Sequence, residues 1–217
     1  MVPNEIVLIS DRRVLEIPIL ESHDPLVDLR EYTQLAIDTH KATESDSYFK
    51  LRKSVAEKLV EAQSTLPDGL ELLVVECYRP LNLQKAYFDE YANELRTSHT
   101  EWSEQEIIIE ASKFVAPPEN IPPHCTGGAV DLTLSLNGVE LNMGTELNAD
   151  PENSNNACFT QATTISVEAK TNRQILNDAL AHQGFVNYPT EWWHWSYGDR
   201  YWAYQTKHPA AIFGVVE

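Results

Sequence analysis

The segment AVDLTLSLNGVELN, residues 129–142, constrains the fold of this chain more than any other stretch. Side chains in its first half alternate between two kinds, which is the pattern of a β-strand with two different faces. Asn137-Gly138 then favours a tight turn, because both residues tolerate a positive φ. The segment therefore predicts an antiparallel β-hairpin. One face of its first strand carries Val130, Leu132, Leu134 and Leu136, and the other carries Ala129, Asp131, Thr133 and Ser135.

Periodicity and boundary residues predict the remaining elements. LELLVVE, residues 70–76, is a short apolar run between turn signals and is predicted as a buried strand. Four helices are predicted, over LRKSVAEKLVEAQSTL at 51–66, from Pro80 to about Arg96, over IIIEASKFV at 107–115 and over 166–185. The second would carry Leu83, Tyr87, Tyr91 and Leu95 on one face. A Ser103–Glu106 capping box precedes the third, and Gly184 ends the fourth. β-structure is predicted for RVLEIPIL at 13–20 and EWWHWSY at 191–197, and a long loop for 144–165. Because strands and helices mix without a βαβ rhythm, we expect one α+β domain over residues 1–217.

The charge and the apolar content exclude several classes of partner. The formal net charge is −17, which argues against nucleic acid, because phosphate binding requires basic patches and the sequence has none. No apolar run reaches the roughly 18 residues that a membrane helix needs, so no membrane association is expected. The N-terminal segment lacks the basic region of a secretory signal, and three cysteines (Cys77, Cys125 and Cys158) imply no disulfide framework. A cytoplasmic location is therefore expected.

Three side chains are spaced as metal ligands. His124 lies in the loop before the first hairpin strand, Asp131 lies on the polar face of that strand, and His194 follows near the C-terminus. Gly127 and Gly128 let the backbone turn tightly, so that the first histidine and the aspartate can point at one centre. Two imidazoles and one carboxylate are a common catalytic zinc set, which leaves a fourth position for water. The pattern predicts one metal ion at this site.

Two further charged residues suit a hydrolytic reaction. Glu191 stands three residues before His194, a spacing that would place the two side chains on opposite faces of a regular strand. We therefore expect Glu191 at the mouth of the strand or beside a bulge, where a carboxylate near the metal could act as a general base. Arg79 lies between a predicted strand and a predicted helix, and a guanidinium there could stabilise the oxyanion that forms when water attacks a carbonyl.

Each piece taken alone also has a structural interpretation. A loop histidine and a strand aspartate often make only hydrogen bonds, and a glutamate near a histidine could be a polar pair beneath aromatic side chains. Arg79 alone would most often form an ion pair, here with Glu76, and Cys125 is a competing metal ligand. The side chains of Trp192, Trp193 and Trp195 are expected to pack in the core and not to bind a carbohydrate. The joint pattern is what indicates a catalytic site.

Three motifs together resemble a known family. ECYRP at 76–80, HCTGGAVD at 124–131 and EWWHW at 191–195 resemble the D-alanyl-D-alanine dipeptidases, the family that includes the vancomycin-resistance dipeptidase. That family belongs to a wider set of zinc D,D-peptidases, whose motif is SxHxxGxAxD followed by ExxH. The resemblance spans about residues 70–200 in the expected order, and MGT at 143–145 is also similar.

The resemblance implies a fold, a cofactor and a reaction. The implied fold is a small α+β domain whose central antiparallel sheet carries the zinc site and is flanked by helices. One Zn²⁺ per chain is implied, bound by His124, Asp131 and His194. Glu191 is implied as general base and then acid, and Arg79 as the residue that stabilises the transition state. The implied reaction is hydrolysis of free D-alanyl-D-alanine to two D-alanines in the cytoplasm, with a water activated by zinc as the nucleophile.

One position departs from the family motif. Pro122 stands where the family has serine, so any substrate contact from that hydroxyl is absent and the dipeptide preference is open. Two other functions use the same ligands: a zinc D,D- or L,D-carboxypeptidase acting on cell-wall peptides, and a non-catalytic zinc module like the hedgehog signalling domain. The missing export signal argues against the first. Glu191 and Arg79 argue against the second, because a structural zinc needs neither. The oligomeric state is left open.

Overall fold

The predicted hairpin forms the centre of the main sheet. In the computed structural model, which describes residues 6–39, 46–112 and 114–216, strand β5 is Ala129–Leu136 and strand β6 is Val139–Glu140. Asn137 and Gly138 between them have φ values of 54° and 78°, as a tight hairpin turn requires. The hairpin is therefore confirmed. Both faces of β5 are nevertheless buried up to residue 135, so the polar face that carries Asp131 is an internal surface.

The main sheet is mostly antiparallel. Its other strands are β2 (Ala36–Ile37), β4 (Leu70–Glu76), β7 (Val186–Asn187) and β8 (His194–Ser196). They pair in the order β2–β4–β5–β8–β7, with β6 attached to β5, and every pair is antiparallel except β2 with β4. A separate antiparallel pair joins β1 (Leu26–Asp28) to β3 (Lys50–Arg52). The predicted strand at 70–76 and the α+β fold class are confirmed.

Six α-helices lie in the described part of the chain. They are α1 (Arg12–Leu15), α2 (Lys53–Ser64), α3 (Leu81–Ser98), α4 (Glu104–Ala111), α5 (Val167–His182) and α6 (Arg200–Thr206). Helices α2 and α5 contact each other and bury Leu59 and Leu176 in the same core as Leu72 of β4. Helices α3 and α4 pack on each other around a smaller cluster that contains Phe88 and Ile107.

The ends of α2, α3 and α5 agree with the predicted ones to within three residues, but α4 spans Glu104–Ala111 and not the predicted 107–115, because the helix starts directly after its cap Ser103. Periodicity also placed the buried face of α3 one residue away from the observed one. Ser103 and Glu106 form the expected capping box at the start of α4, and Gly184, with φ 82°, follows the end of α5. On α3 the buried residues are Gln84, Phe88 and Ala92, and the predicted stripe at 83, 87, 91 and 95 is only partly buried. The face is displaced by one residue because α4 and the segment after it cover α3 from that side.

Two segments predicted as β-structure differ from the prediction. The first three residues of RVLEIPIL belong to the short helix α1, which begins at Arg12 and is capped by the Asp11 side chain, and the segment makes an isolated bridge from Ile19 to Ala211. EWWHWSY enters the sheet only at His194, because residues 192–193 form a turn. In the C-terminal tail, for which no element was predicted, Asp199 caps helix α6 by accepting a hydrogen bond from the backbone N–H of Trp202.

The predicted packing of the tryptophans is confirmed, since the side chains of Trp192, Trp193 and Trp195 are buried in the main core. The three cysteines are also buried, and none forms a disulfide. No helix in the described ranges is long and apolar enough to cross a membrane. Residues 1–5 of the segment in which no secretory signal was found lie outside the described residues.

Candidate metal centre and active site

The fold brings the three predicted metal ligands together. His124 lies in a tight 3-10 turn directly before β5, and Gly127 ends that turn with a φ of 69°. Asp131 lies on β5, and His194 is the first residue of β8. Because β5 and β8 are antiparallel neighbours and Asp131 pairs directly with His194, the sheet register itself places these two side chains side by side.

The distances between the three donor atoms suit one metal ion. His124 Nε2 lies 3.2 Å from His194 Nδ1 and 3.4 Å from Asp131 Oδ1, and His194 Nδ1 lies 3.0 Å from the same oxygen. Ligands about 2.0–2.1 Å from a tetrahedral zinc are roughly 3.3 Å apart, so the observed triangle matches one face of a tetrahedron. All three side chains are buried. Buried groups of this kind need a partner of opposite charge, which a divalent cation supplies.

Hydrogen bonding fixes the state of the first histidine. His124 Nδ1 lies 2.6 Å from the backbone carbonyl oxygen of Cys77, and a carbonyl can only accept, so this nitrogen carries a proton. On a neutral ring Nε2 then has its lone pair free for a metal, which is the arrangement that ligating histidines show in proteins. His124 is therefore oriented before any ion binds.

The two strand residues shift each other's pKa. Burial alone would raise the pKa of Asp131, but His124 and His194 hold it well below its usual range. Burial alone would lower the pKa of His194, but the hydrogen bond and the charge of Asp131 raise it overall. The aspartate is therefore ionised, as a ligand must be. Cys125 lies outside this cluster, and burial raises the pKa of its thiol to about 12, so the alternative of Cys125 as a ligand is not supported.

Glu191 lies beside the cluster without belonging to it. Glu191 directly precedes the turn that leads into β8, as expected for a side chain at the mouth of the strand. Glu191 Oε2 is 3.9 Å from His194 Nδ1, and 26% of the side chain is exposed. Burial raises the pKa of this carboxyl to about 7, although the neighbouring His194 lowers it. A carboxyl in this position can exchange a proton with a group held at the cluster.

Arg79 reaches the same site from the end of β4. Its Nε donates to Glu76 Oε1 at 2.6 Å, its Nη1 donates to Gln84 Oε1 at 2.8 Å, and its backbone N–H donates to the His124 carbonyl at 3.2 Å. Burial alone would lower the pKa of Arg79, but Glu76 raises it overall, so the guanidinium is a cation. The ion pair with Glu76 that the sequence suggested is present. Gln84 was missed, although its position one turn into the helix after Arg79-Pro80 makes it a natural partner.

These groups line one cavity of about 440 Å³, a size that suits a small ligand. Its polar side is formed by the three clustered side chains together with Glu191 and Arg79. Its other walls include Ile9, Phe114, Pro122 and Pro123. Asn148 also lines the cavity, which places the predicted long loop at the rim of the site. The arrangement offers a metal position, a carboxyl and a cation around one small, partly apolar space.

Replacing Asp131 by Asn should strongly weaken metal binding. The change removes the only negative charge among the three donors, and we expect a loss beyond the roughly 10–100-fold that follows removal of an outer-shell partner. Competition with a chromophoric chelator measures the affinity. Cys125→Ala is the matched control, because Cys125 neighbours His124 in sequence but lies outside the cluster; it should bind zinc as the unmodified protein does. Unchanged affinity in Asp131→Asn would show that the metal lies elsewhere.

Comparisons with known proteins identify a family and several similar chains. The peptidase M15 family model, described as D-ala-D-ala dipeptidase, matches residues 24–213. A D-alanyl-D-alanine dipeptidase from Synechocystis sp. is 29% identical over an alignment of 244 positions, gaps included, which covers 94% of this chain and 96% of the relative. Among solved structures, the LD-carboxypeptidase LdcB is 21% identical with a TM-score of 0.49, covering 87% of this chain and 75% of its own. VanYB in complex with D-alanine-D-alanine is 18% identical with a TM-score of 0.43, covering 73% and 78%.

Proposed function

This chain belongs to the peptidase M15 family of zinc peptidases, and from that premise we propose that it hydrolyses the free dipeptide D-alanyl-D-alanine to two D-alanines. The observation that carries the proposal is the placement of Glu191 and Arg79 around the His124–Asp131–His194 cluster in one small cavity. The relative from Synechocystis sp., similar along nearly the whole chain, supports the choice of substrate.

The metal and the protein contribute different parts of the proposed reaction. When bound by His124, Asp131 and His194, zinc supplies a Lewis acid that lowers the pKa of a water towards 7 and polarises a carbonyl oxygen. Glu191 then accepts the proton of the attacking water. Because Glu191 lines the cavity in which the substrate would bind, the same carboxyl can pass this proton to the departing amine. One group thus acts first as base and then as acid.

Arg79 stabilises the negative charge that develops on the carbonyl oxygen. A guanidinium has five N–H donors, and the contacts with Glu76 and Gln84 use three of them. In the proposed reaction the remaining N–H groups donate to the carbonyl oxygen. Because Glu76 and Gln84 fix the guanidinium in advance, little reorganisation is needed when charge develops. A non-catalytic zinc module would require neither this cation nor Glu191, so the hedgehog-like alternative is disfavoured.

The remaining assignments belong to the same proposal. We place the reaction in the cytoplasm, which the three unpaired buried cysteines favour, because thiols persist in a reducing compartment. A single domain over residues 1–217 stays a prediction.

The carboxypeptidase alternative draws on one observation, namely that Pro122 lines the cavity where the family motif has a serine. The serine hydroxyl could hold the ammonium group of a free dipeptide, and a substrate whose amine is blocked has no such group to hold.

A pair of substrates that differ only at the amine decides between dipeptidase and carboxypeptidase. We expect the zinc-loaded protein to release D-alanine from D-Ala-D-Ala and not from N-acetyl-D-Ala-D-Ala, measured with a coupled D-amino-acid oxidase assay. Preferential cleavage of the acetylated peptide would support the carboxypeptidase alternative. Cleavage of neither peptide by fully metal-loaded protein would refute the proposed substrate class.

A further inference from the structure

The proposed base and one metal ligand are held in a short turn that needs an external support. Glu191 and His194 are separated by two tryptophans, and residues 192–193 form a turn and not a strand. Three backbone hydrogen bonds close this turn: Glu191 N–H to the Tyr188 carbonyl, His194 N–H to the Glu191 carbonyl and Tyr188 N–H to the His194 carbonyl. The position of the base relative to the metal therefore depends on the backbone of this turn.

The side chain of Asn187 bridges the two ends of the turn. Its Nδ2 donates to the Glu191 carbonyl and to the His194 carbonyl, each at 3.0 Å. An amide nitrogen has two N–H donors, and both are used here. The orientation of the amide is determined by its surroundings, because only the nitrogen can face two carbonyl oxygens. The Thr160 hydroxyl completes the arrangement by donating to Asn187 Oδ1.

The loop that contains Thr160 is itself anchored. The backbone carbonyl of Cys158 in this loop accepts a hydrogen bond from the Trp192 N–H at 3.1 Å, and the Thr160 N–H donates one to the Pro189 carbonyl at 3.0 Å. Arg173 on α5, a buried side chain, donates to the carbonyls of Ala157 at 2.8 Å, Phe159 at 2.6 Å and Met143 at 2.7 Å. A continuous set of hydrogen bonds thus connects α5 to the turn.

We propose that Asn187 is a positioning residue that sets the place of Glu191 relative to the metal ligand His194. The inference rests on the proposed function, because it assigns a purpose to the geometry of that site. Asn187 lies among the residues around a second cavity, together with Thr160 and Tyr201, and so acts through the backbone and not by touching substrate. Loss of its two donated bonds would loosen both ends of the turn, and a displacement of about 1 Å at a reacting group can cost 10²-fold in rate.

Asn187→Asp tests the proposal with little change in size. The aspartate can still accept from Thr160 but has no N–H, and its charge faces two carbonyl oxygens. We expect zinc affinity to fall about tenfold and kcat on D-Ala-D-Ala to fall at least tenfold, with KM nearly unchanged. Asn172→Asp is the matched control, because the Asn172 amide also donates to a backbone carbonyl, that of Asn142, on the surface of α5. This control should keep the affinity and kcat of the unmodified protein.

Thr160 provides a second pair of variants that disturbs the turn less. Thr160→Val removes the hydroxyl that fixes the amide, whereas Thr160→Ser retains it. We expect the valine variant to lose part of the zinc affinity and of kcat. The serine variant should keep both close to the values of the unmodified protein. If Asn187→Asp does not fold, as thermal unfolding will show, this pair decides the question.

Two results would overturn the role of Asn187: a folded Asn187→Asp protein with unchanged zinc affinity and kcat, or equal behaviour of the two Thr160 variants. The zinc affinity is measured without substrate. If the unmodified protein fails to cleave D-Ala-D-Ala, the proposed function is refuted while the affinity measurements still decide the role of Asn187.

Discussion

Glu191→Gln is expected to bind zinc as the unmodified protein does and to hydrolyse D-Ala-D-Ala roughly 10²–10⁴-fold more slowly, because an amide cannot accept the proton of the attacking water. The substitution keeps the size of the side chain. Glu191 Oε2 lies 3.9 Å from His194 Nδ1, which is beside the metal position and outside the donor cluster, so metal content should be preserved. Steady-state kinetics together with metal analysis measures both quantities.

The control for this variant is Glu140→Gln on the exposed strand β6, which makes the same chemical change outside the cavity and should leave kcat unchanged. If Glu191→Gln retained near-normal turnover with full zinc, the base would be a different group. Loss of zinc from the variant would instead make Glu191 a ligand, which also contradicts its proposed role.

Arg79→Met is expected to lower kcat by about 10²–10³-fold, the effect of removing one oxyanion donor from an enzyme. The same change also removes the ion pair between Arg79 and Glu76. Because Glu76 is 1% exposed, loss of this buried ion pair should destabilise the fold by about 3–5 kcal/mol. Activity and stability must therefore be measured separately, by steady-state kinetics and by urea unfolding.

The double variant Glu76→Gln/Arg79→Met separates these two effects. It removes the charge that Arg79 compensates, so most of the lost stability should return, while kcat should remain low. Recovery of kcat together with stability would show that Arg79 serves only the fold. A near-normal kcat in the single variant would remove Arg79 from the reaction altogether.

The parts of the fold that local chemistry determines were predictable from sequence. The β5–β6 hairpin follows from alternation and Asn137-Gly138, and the capping box at Ser103 follows from side-chain hydrogen bonds within four residues. The candidate site was also predictable, since Asp131 lies within the alternating strand and its motif places His124 at its start. His194 was also predicted as the second imidazole, but only the pairing of β5 with β8 in the folded chain places it beside Asp131.

The features that were missed depend on contacts distant in sequence. Helix α6 has seven residues, too few for periodicity to reveal. Gln84 and Asn187 serve the site through hydrogen bonds, and no local pattern marks an amide as a support for a neighbouring group. The position of Glu191 at the mouth of strand β8 was predicted, but the turn that holds it there was not, because that turn depends on Thr160 and the loop around it, which pack against it only in the folded chain.

Titration of zinc into metal-free protein, with D-alanine release from D-Ala-D-Ala as the readout, tests the central claim most directly. We predict no release without metal and a rise that saturates at one zinc per chain, because one cluster of His124, Asp131 and His194 holds the ion beside Glu191. Full turnover by the metal-free protein, or no turnover when one zinc per chain is bound, would contradict the account.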